Sequence, residues 1–413
     1  MATSAAKDPA QYPVLRNLQF SPMKKGEEQY IVLWDPTGLG NEKLVLPLNY
    51  FFILQHFDGE HSLQDISALY LKRFGEFLMP SKVEQLVVDL EQKLFLEGDR
   101  AEAAWQRVQN EYRQGSLRKA AFAGRSYEAD GAKLAEQIEG FFTSDEGPDF
   151  KPSEHQGKAI KGLVAPTYDL KQAGPVYAWA YKELQEASQP DLYVLLGTAY
   201  AGLESLFALT DKDFETPLGI ITTDRTIVGT LKIQMPQYFE EDVRHQMEHA
   251  IEFQLPFLQH VVGSKKPITI VPILISFSAS SLRDRTMRQS VEQFLTGLRD
   301  LLVASGRDYC VIAGAELAHL GMRYGDSSPP TDFSFHRSMQ CDLEMLKPVE
   351  ELNPDEFAAY IQKENDQRRI SGFSPIYSLL RLIQAEKGHV LRYDRGITDQ
   401  YNSTATYASM AFY

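Results

Sequence analysis

YCVIAGAELAH, residues 309–319, passes from an unbroken apolar run to a carboxylate, Glu316, and an imidazole, His319, three positions apart. A strand that is apolar on both pleat faces belongs in a sheet covered by helices on each side, because a half-exposed strand alternates. DLYVLLG (191–197) and ITIVPILIS (268–276) read the same way, and KGLVAP (161–166) and TPLGIITTD (216–224) supply further strand segments. Between them lie helix-like stretches: one through Tyr177 to Glu186, one around Glu248, and one from Leu282 to Val303. This alternation predicts an α/β architecture with a central sheet flanked by helices. Ligands in such folds bind beyond the strand ends, so the residues after each apolar run are where chemistry is sought.

Four segments fill those positions: Pro166-Thr167-Tyr168-Asp169, Gly197-Thr198-Ala199-Tyr200, the stretch Glu248 to Pro256, and Gly314 to His319. In EHAIEFQLPF a helix would put His249 within reach of both Glu248 and Glu252, an arrangement suited to an imidazole oriented by a carboxylate. The same spacing suits an amphipathic helix that packs Ile251, Phe253, Leu255 and Phe257 and leaves its charges solvated. Glu316 and His319 can meet a single cation, or simply hydrogen-bond each other in a loop. Serine-hydrolase, phosphate-loop and dinucleotide glycine motifs are missing from the sequence, so nucleotide-dependent chemistry has no support.

The N-terminal part has a different pattern. QYIVLW (29–34), the turn DPTGLGN (35–41) and KLVLPL (43–48) read as a β-hairpin. Three helical patterns follow. The second is capped by Ser62 with Asp65 and ended by Gly75; the third opens at Pro80-Ser81, with Glu84 completing a capping box. Hairpin plus helices makes a small winged-helix-like α+β domain. The polar stretch from Glu97 to Arg118 reads as a helical connector, which puts the boundary near Tyr112 and gives domains 1–112 and 113–413.

The 42 basic against 56 acidic residues leave a net charge of −14, which disfavours nucleic acid or anionic lipid as a partner. Cys310 and Cys341 form no metal or disulfide spacing, and a cytoplasmic location is expected. The polar opening, Met1 to Gln11, and the lack of a long apolar run predict no membrane segment.

In order along the chain, RKAAFAGRSYEADGAKLAEQIEGFF, KGLVAPTYDL, YVLLGTAY, FETPLGIITTD, EHAIEFQLPFLQ, ITIVPILI, CVIAGAELAHLG, ISGFSPI and ATYASMAF resemble the Memo family, also called AmmeMemoRadiSam system protein B. The resemblance runs from about Arg118 to the C-terminus. It implies a fold akin to class III extradiol dioxygenases, with non-haem iron, or copper in some members, in a histidine-rich pocket. Where members read PHAGY this chain has Pro166 to Leu170, so Thr167 replaces a ligand histidine and Tyr168 lines the pocket. Where they read GPSHH, Tyr200 replaces the second histidine. Glu316 replaces an aspartate and His319 is kept as the remaining metal ligands, while the element containing Glu248, His249 and Glu252 is intact. A cysteine present in some members has no counterpart, the local sequence being Asp399-Gln400-Tyr401-Asn402. Phe20 to Leu96, notably ILQHFDGEHSLQDISALYLKRFG, resembles PqqD-like domains, which capture an extended peptide beside radical-SAM enzymes.

The resemblance thus implies an accessory or binding protein with a degenerate metal pocket, linked to a radical-SAM partner and to a peptide held by the N-terminal domain. Thr167 and Tyr200 weaken the case for iron or copper, since neither supplies an imidazole. The alternative is an active non-haem metal-dependent oxidoreductase, with His249 and Glu252 in catalysis and Glu316 and His319 on the metal.

Overall fold

The computed structural model describes residues 8–40, 42–149 and 152–413, and the chain divides into two units between Gln114 and Gly115. Residues 1–7 of the polar N-terminus and Asn41, the last residue of the DPTGLGN turn, lie outside the described residues.

The N-terminal unit comprises β1 (Gln19–Lys25), β2 (Glu28–Trp34), β3 (Leu44–Pro47), α1 (Tyr50–Leu54), α2 (Leu63–Phe74), α3 (Pro80–Gln92) and α4 (Asp99–Gln114). The expected hairpin is β2 with β3, antiparallel, with Tyr30 opposite Pro47. β1 was not legible as a strand because Pro22 interrupts it. It lies at a sheet edge, where an absent N–H is tolerated. Ser62 caps α2 by accepting from the Asp65 N–H, Asp65 returns the bond, and Gly75 closes the helix at φ 73°. The box expected from Ser81 and Glu84 does not form. α3 instead begins at Pro80 in the first helical position, with Met79 as its uncapped N-cap. Ile31 and Leu33 of β2, Ile66 and Tyr70 of α2, and Val83 and Leu90 of α3 meet in one core.

The C-terminal unit is built on β4 (Leu117–Arg118), β5 (Gly162–Ala165), β6 (Leu192–Thr198), β7 (Phe207–Leu209), β8 (Asp213–Thr216), β9 (Gly219–Thr223), β10 (Thr269–Ile275), β11 (Tyr309–Gly314), β12 (His319–Leu320), β13 (Gly388–Ile397) and β14 (Thr404–Phe412). They form one mixed sheet in the order β12-β14-β5-β11-β6-β10-β9-β8-β4, with β13 on β14 and β7 on β10. Its helices are α5 (Gly131–Thr143), α6 (Leu170–Glu186), α7 (Arg225–Gln234), α8 (His249–Glu252), α9 (Gln254–Val262), α10 (Arg285–Ala304), α11 (Asp332–Glu350), α12 (Pro354–Lys363) and α13 (Phe373–Leu382).

β6 shows why the sheet is buried on both sides. Leu192, Val194 and Leu196 join a core with Phe294 and Leu298 of α10 and Leu379 of α13. Tyr193 and Leu195, on the other pleat face, join Tyr177 and Tyr181 of α6 and Phe257 of α9. Each such side chain contributes about 1.5–3 kcal/mol by leaving water. Pro272 is accommodated inside β10 because pairing on one side breaks there: β9 pairs with Thr269 and Ile270, β7 only from Ile273 onward.

Two predicted helices are shorter at their starts. The one expected from Leu282 begins at Arg285, after a 3-10 turn, because the Asp284 side chain accepts the Met287 N–H at 2.8 Å. The stretch around Glu248 is helical only from His249, since Glu248 is the N-cap. No helix among the described residues is long and apolar enough to cross a membrane.

Candidate functional site

The parallel strands are in register at their carboxyl ends: Gly314 of β11 lies beside both Ala165 of β5 and Gly197 of β6. The chain therefore delivers Thr167, Tyr200 and Glu316 to one edge of the sheet. A side chain at Gly314 would put a Cβ 2.7 Å from the Ala250 carbonyl and 2.9 Å from Thr167 Cγ2, so glycine is what lets α8 and Thr167 close over the strand end.

Thr167 Oγ1 donates to Glu316 Oε1 at 3.2 Å, so the 2.8 Å contact between Thr167 Oγ1 and the Tyr200 hydroxyl has Tyr200 as donor. Glu316 Oε2 lies 2.9 Å from His319 Nε2. The other ring nitrogen, Nδ1, faces the Arg369 carbonyl at 2.9 Å and the Leu317 carbonyl at 3.2 Å. With acceptors at both nitrogens, His319 is held as an imidazolium. Burial opposes that charge, but the hydrogen bond and charge of Glu316 outweigh it, and the His319 pKa is raised. Burial likewise pushes against the Glu316 carboxylate, yet His319, His249 and Thr167 draw its pKa below the ordinary value. The Tyr200 phenol is pushed well up, by burial first and then by the charge of Glu316, so it stays neutral. Tyr168 stacks on Tyr407 with ring centres 5.4 Å apart, and burial raises its pKa as well.

The second wall is α8. Glu248 accepts the N–H groups of His249 and Ala250 through Oε1, and that of Tyr200 at 2.9 Å through Oε2. His249 Nδ1 lies 3.0 Å from Glu248 Oε1, and its ring stacks on Tyr200, centroids 4.9 Å apart and tilted by 21°. Burial lowers the His249 pKa, but Glu248, assisted by Glu316 and Glu252, raises it overall.

Thr167, Tyr200, Glu316, His319, Glu248 and His249 are thus linked in one cluster, but Glu252 is engaged elsewhere. Its carboxylate is fully buried against the Arg118 guanidinium and also accepts from the Ala121 and Phe122 N–H groups and the Tyr127 hydroxyl. The Glu252 side chain thus clamps the segment 118–127, while its charge helps to raise the His249 pKa.

Ser371 also belongs to the cluster and was missed. Its hydroxyl is 3.3 Å from that of Tyr200, and its carbonyl accepts from Thr198 Oγ1 at 3.1 Å. It sits within ISGFSPI, before Gly372, where a Cβ would meet the Glu316 carbonyl at 2.4 Å. That glycine was the available signal for a close approach. By contrast, Asp399 folds back on its own loop, accepting the Tyr401 and Ser403 N–H groups. Among the described residues no three His, Cys, Asp or Glu side chains gather as a metal ion would need.

The family described as Memo-like protein matches residues 118–411. A MEMO1 family protein of Aquifex aeolicus is 24% identical over 390 residues, covering 92% of this chain and 96% of its own, so that match reaches into the N-terminal unit. One from Ignicoccus hospitalis is 34% identical over 58% of this chain and 77% of its own length. Another, from Sulfolobus acidocaldarius, is 30% identical over 67% and 92%. With the family matched over residues 118–411, a span that holds every residue of the cluster, this chain belongs to the Memo family.

Proposed function

We propose that this Memo-family chain is an accessory binding protein whose metal-type pocket is closed by its own side chains, and that it serves a radical-SAM peptide-modification system. The observation that carries the reading is His319, whose two ring nitrogens both face acceptors. Coordination needs a free lone pair, and an imidazolium has none. Glu316 is paired with His319 and His249 with Glu248, and the Thr167 hydroxyl and a phenol kept neutral at Tyr200 are poor ligands for divalent iron or copper. The donor set does not fit a firmly held iron or copper ion. The imidazolium supplies the positive charge that offsets Glu316.

The resemblance of the N-terminal unit to PqqD-like domains supports peptide capture. β1 and β3 are the edges of its three-stranded sheet, and an extended peptide adds to such an edge through main-chain hydrogen bonds. A second reading, an oxidoreductase, draws on His249, whose raised pKa and stacking on Tyr200 suit proton transfer.

Elemental analysis separates the two. The native chain is expected to hold far less than one iron or copper per molecule after a chelator wash, and the double substitution Thr167→His, Tyr200→His to raise that content. Stoichiometric, chelator-resistant metal in the native chain, lost in His319→Ala, would establish the oxidoreductase reading instead.

A further inference from the structure

A cavity of about 510 Å³ opens at the carboxyl ends of β6 and β10, against the start of α13. Its size suits a small ligand. Leu206, Phe277, Met287, Ile370 and Phe373 make an apolar wall. Two polar features lie on its wall.

The first is the start of α13, a ten-residue helix whose N-cap is Gly372: the Phe373 N–H is taken by the Ile370 carbonyl at 3.4 Å and Pro375 has none, which leaves the N–H of Ser374. Such a terminus carries partial positive charge and attracts carboxylates. Ser374, in that first turn, lines the cavity and is only 3% exposed, yet its hydroxyl has no hydrogen-bond partner among the described residues. That hydroxyl is free to donate to an acceptor bound in the cavity.

The second is Asp366, a half-buried carboxylate on the cavity wall with no ion pair among the described residues. Its Oδ1 accepts the Ile370 N–H at 2.8 Å. Burial raises its pKa against that bond and the nearby charges of Arg368, His319 and Arg369. The wall's own cation, Arg369, is engaged with Asp326 at 2.7 Å and with the His319 carbonyl at 3.0 Å. The cavity therefore presents donors for an anion, an acceptor for a cation, and an apolar surface.

We propose that this cavity binds a free α-amino acid with an apolar side chain. The carboxylate sits at Ser374 and the start of α13, the ammonium at Asp366, and the side chain against Phe277 and Phe373. A peptide terminus brings only one of the two charges, so the free amino acid is the better match. The inference names the ligand of the binding-protein reading and rests on it. Metal content and amino-acid binding are separate measurements, so either can fail alone.

Calorimetric titration of the full chain tests it with three probes: L-leucine, L-leucinamide, which lacks the carboxylate, and 4-methylpentanoate, which lacks the ammonium. Leucine is expected to bind and each truncated probe to bind at least about tenfold more weakly, one hydrogen-bonded charge being worth that much. Ser374→Ala and Asp366→Asn should each weaken leucine about tenfold or more. Asp366→Asn should leave 4-methylpentanoate binding unchanged. Asp366 has φ 51°, a left-handed conformation that asparagine adopts readily, so the backbone is kept. Ser374→Ala should melt at the native temperature, because its hydroxyl has no internal partner. The proposal is overturned by no leucine binding up to ~10 mM, a Kd far weaker than a built site would give. It is equally overturned by truncated probes that bind as well as leucine, by variants that bind leucine like the native chain, or by a lowered melting point of Ser374→Ala. If Asp366→Asn does not fold, the probes and Ser374→Ala decide.

Discussion

At the scale of single residues, the buried charges divide into those that hold the fold and those that face the cluster. Arg118 and Glu252 are both fully buried, and Arg118 also donates to the His245 and Glu248 carbonyls at 2.8 Å. Removing one partner of such a pair strands the other charge. Glu252→Gln is therefore expected to cost about 3–5 kcal/mol in chemical denaturation, and a near-neutral result would restore Glu252 as a candidate for chemistry. His245 is the opposite case, a buried neutral imidazole bonded to the Ala208 carbonyl at 2.9 Å. Burial, helped by Arg118 and opposed by that carbonyl, lowers its pKa to about 3. Below about pH 6.5 the unfolded chain takes up a proton that the folded chain refuses, so stability falls with pH from there toward 3, by up to about 1.4 kcal/mol per pH unit. His319 and His249, with raised pKa values, act the other way: their contribution is complete below the unfolded value and is lost as pH rises through the folded one. Denaturation midpoints measured from pH 7 down to 5 should decline in the native chain and less steeply in His245→Asn. Parallel slopes would show that another group is responsible.

At the scale of elements, caps decide where helices begin, and those beginnings place the site. Glu248 as the N-cap of α8 both starts that helix and anchors the Tyr200 backbone, so one carboxylate joins two walls of the cluster. In the N-terminal unit, Ser62 and Asp65 form a reciprocal box at α2. Ser62→Ala should destabilise that unit by about 1 kcal/mol. Because the chain has two units, the change is best followed by hydrogen exchange in α2, where faster exchange is expected with the rates in α6 unaltered. Equal exchange in α2 would mean that packing of Ile66 and Tyr70 alone sets the helix.

At the scale of the whole molecule, the net charge of −14 predicts no salt-dependent retention on immobilised duplex DNA, even at low salt, despite the helices of the N-terminal unit. Retention that salt reverses would reveal a basic face and overturn this. The central strands β6, β10 and β11 were legible because a strand buried on both sides needs apolar residues at every position, a local property. β14 was not read as a strand: all nine of its residues are buried, but Thr404, Thr406 and Ser409 disguise it. Thr406 is accommodated by a bond to the buried Asp342 carboxylate, a partner far away in the chain. The site divides in the same way. By itself the sequence determined the buried strands β6, β10 and β11 and the helices α6 and α10 between and beside them, the Memo family resemblance, and the presence of Thr167, Tyr200, Glu316 and His319 after strand ends, since periodicity and residue type are carried along the chain. Only the tertiary structure decided that His319 engages Glu316 and two carbonyls, that Ser371 joins Tyr200, and that Glu252 turns to Arg118. Each of those outcomes is a choice among hydrogen-bond partners, and the partners are brought together by parallel strands whose register no local segment specifies.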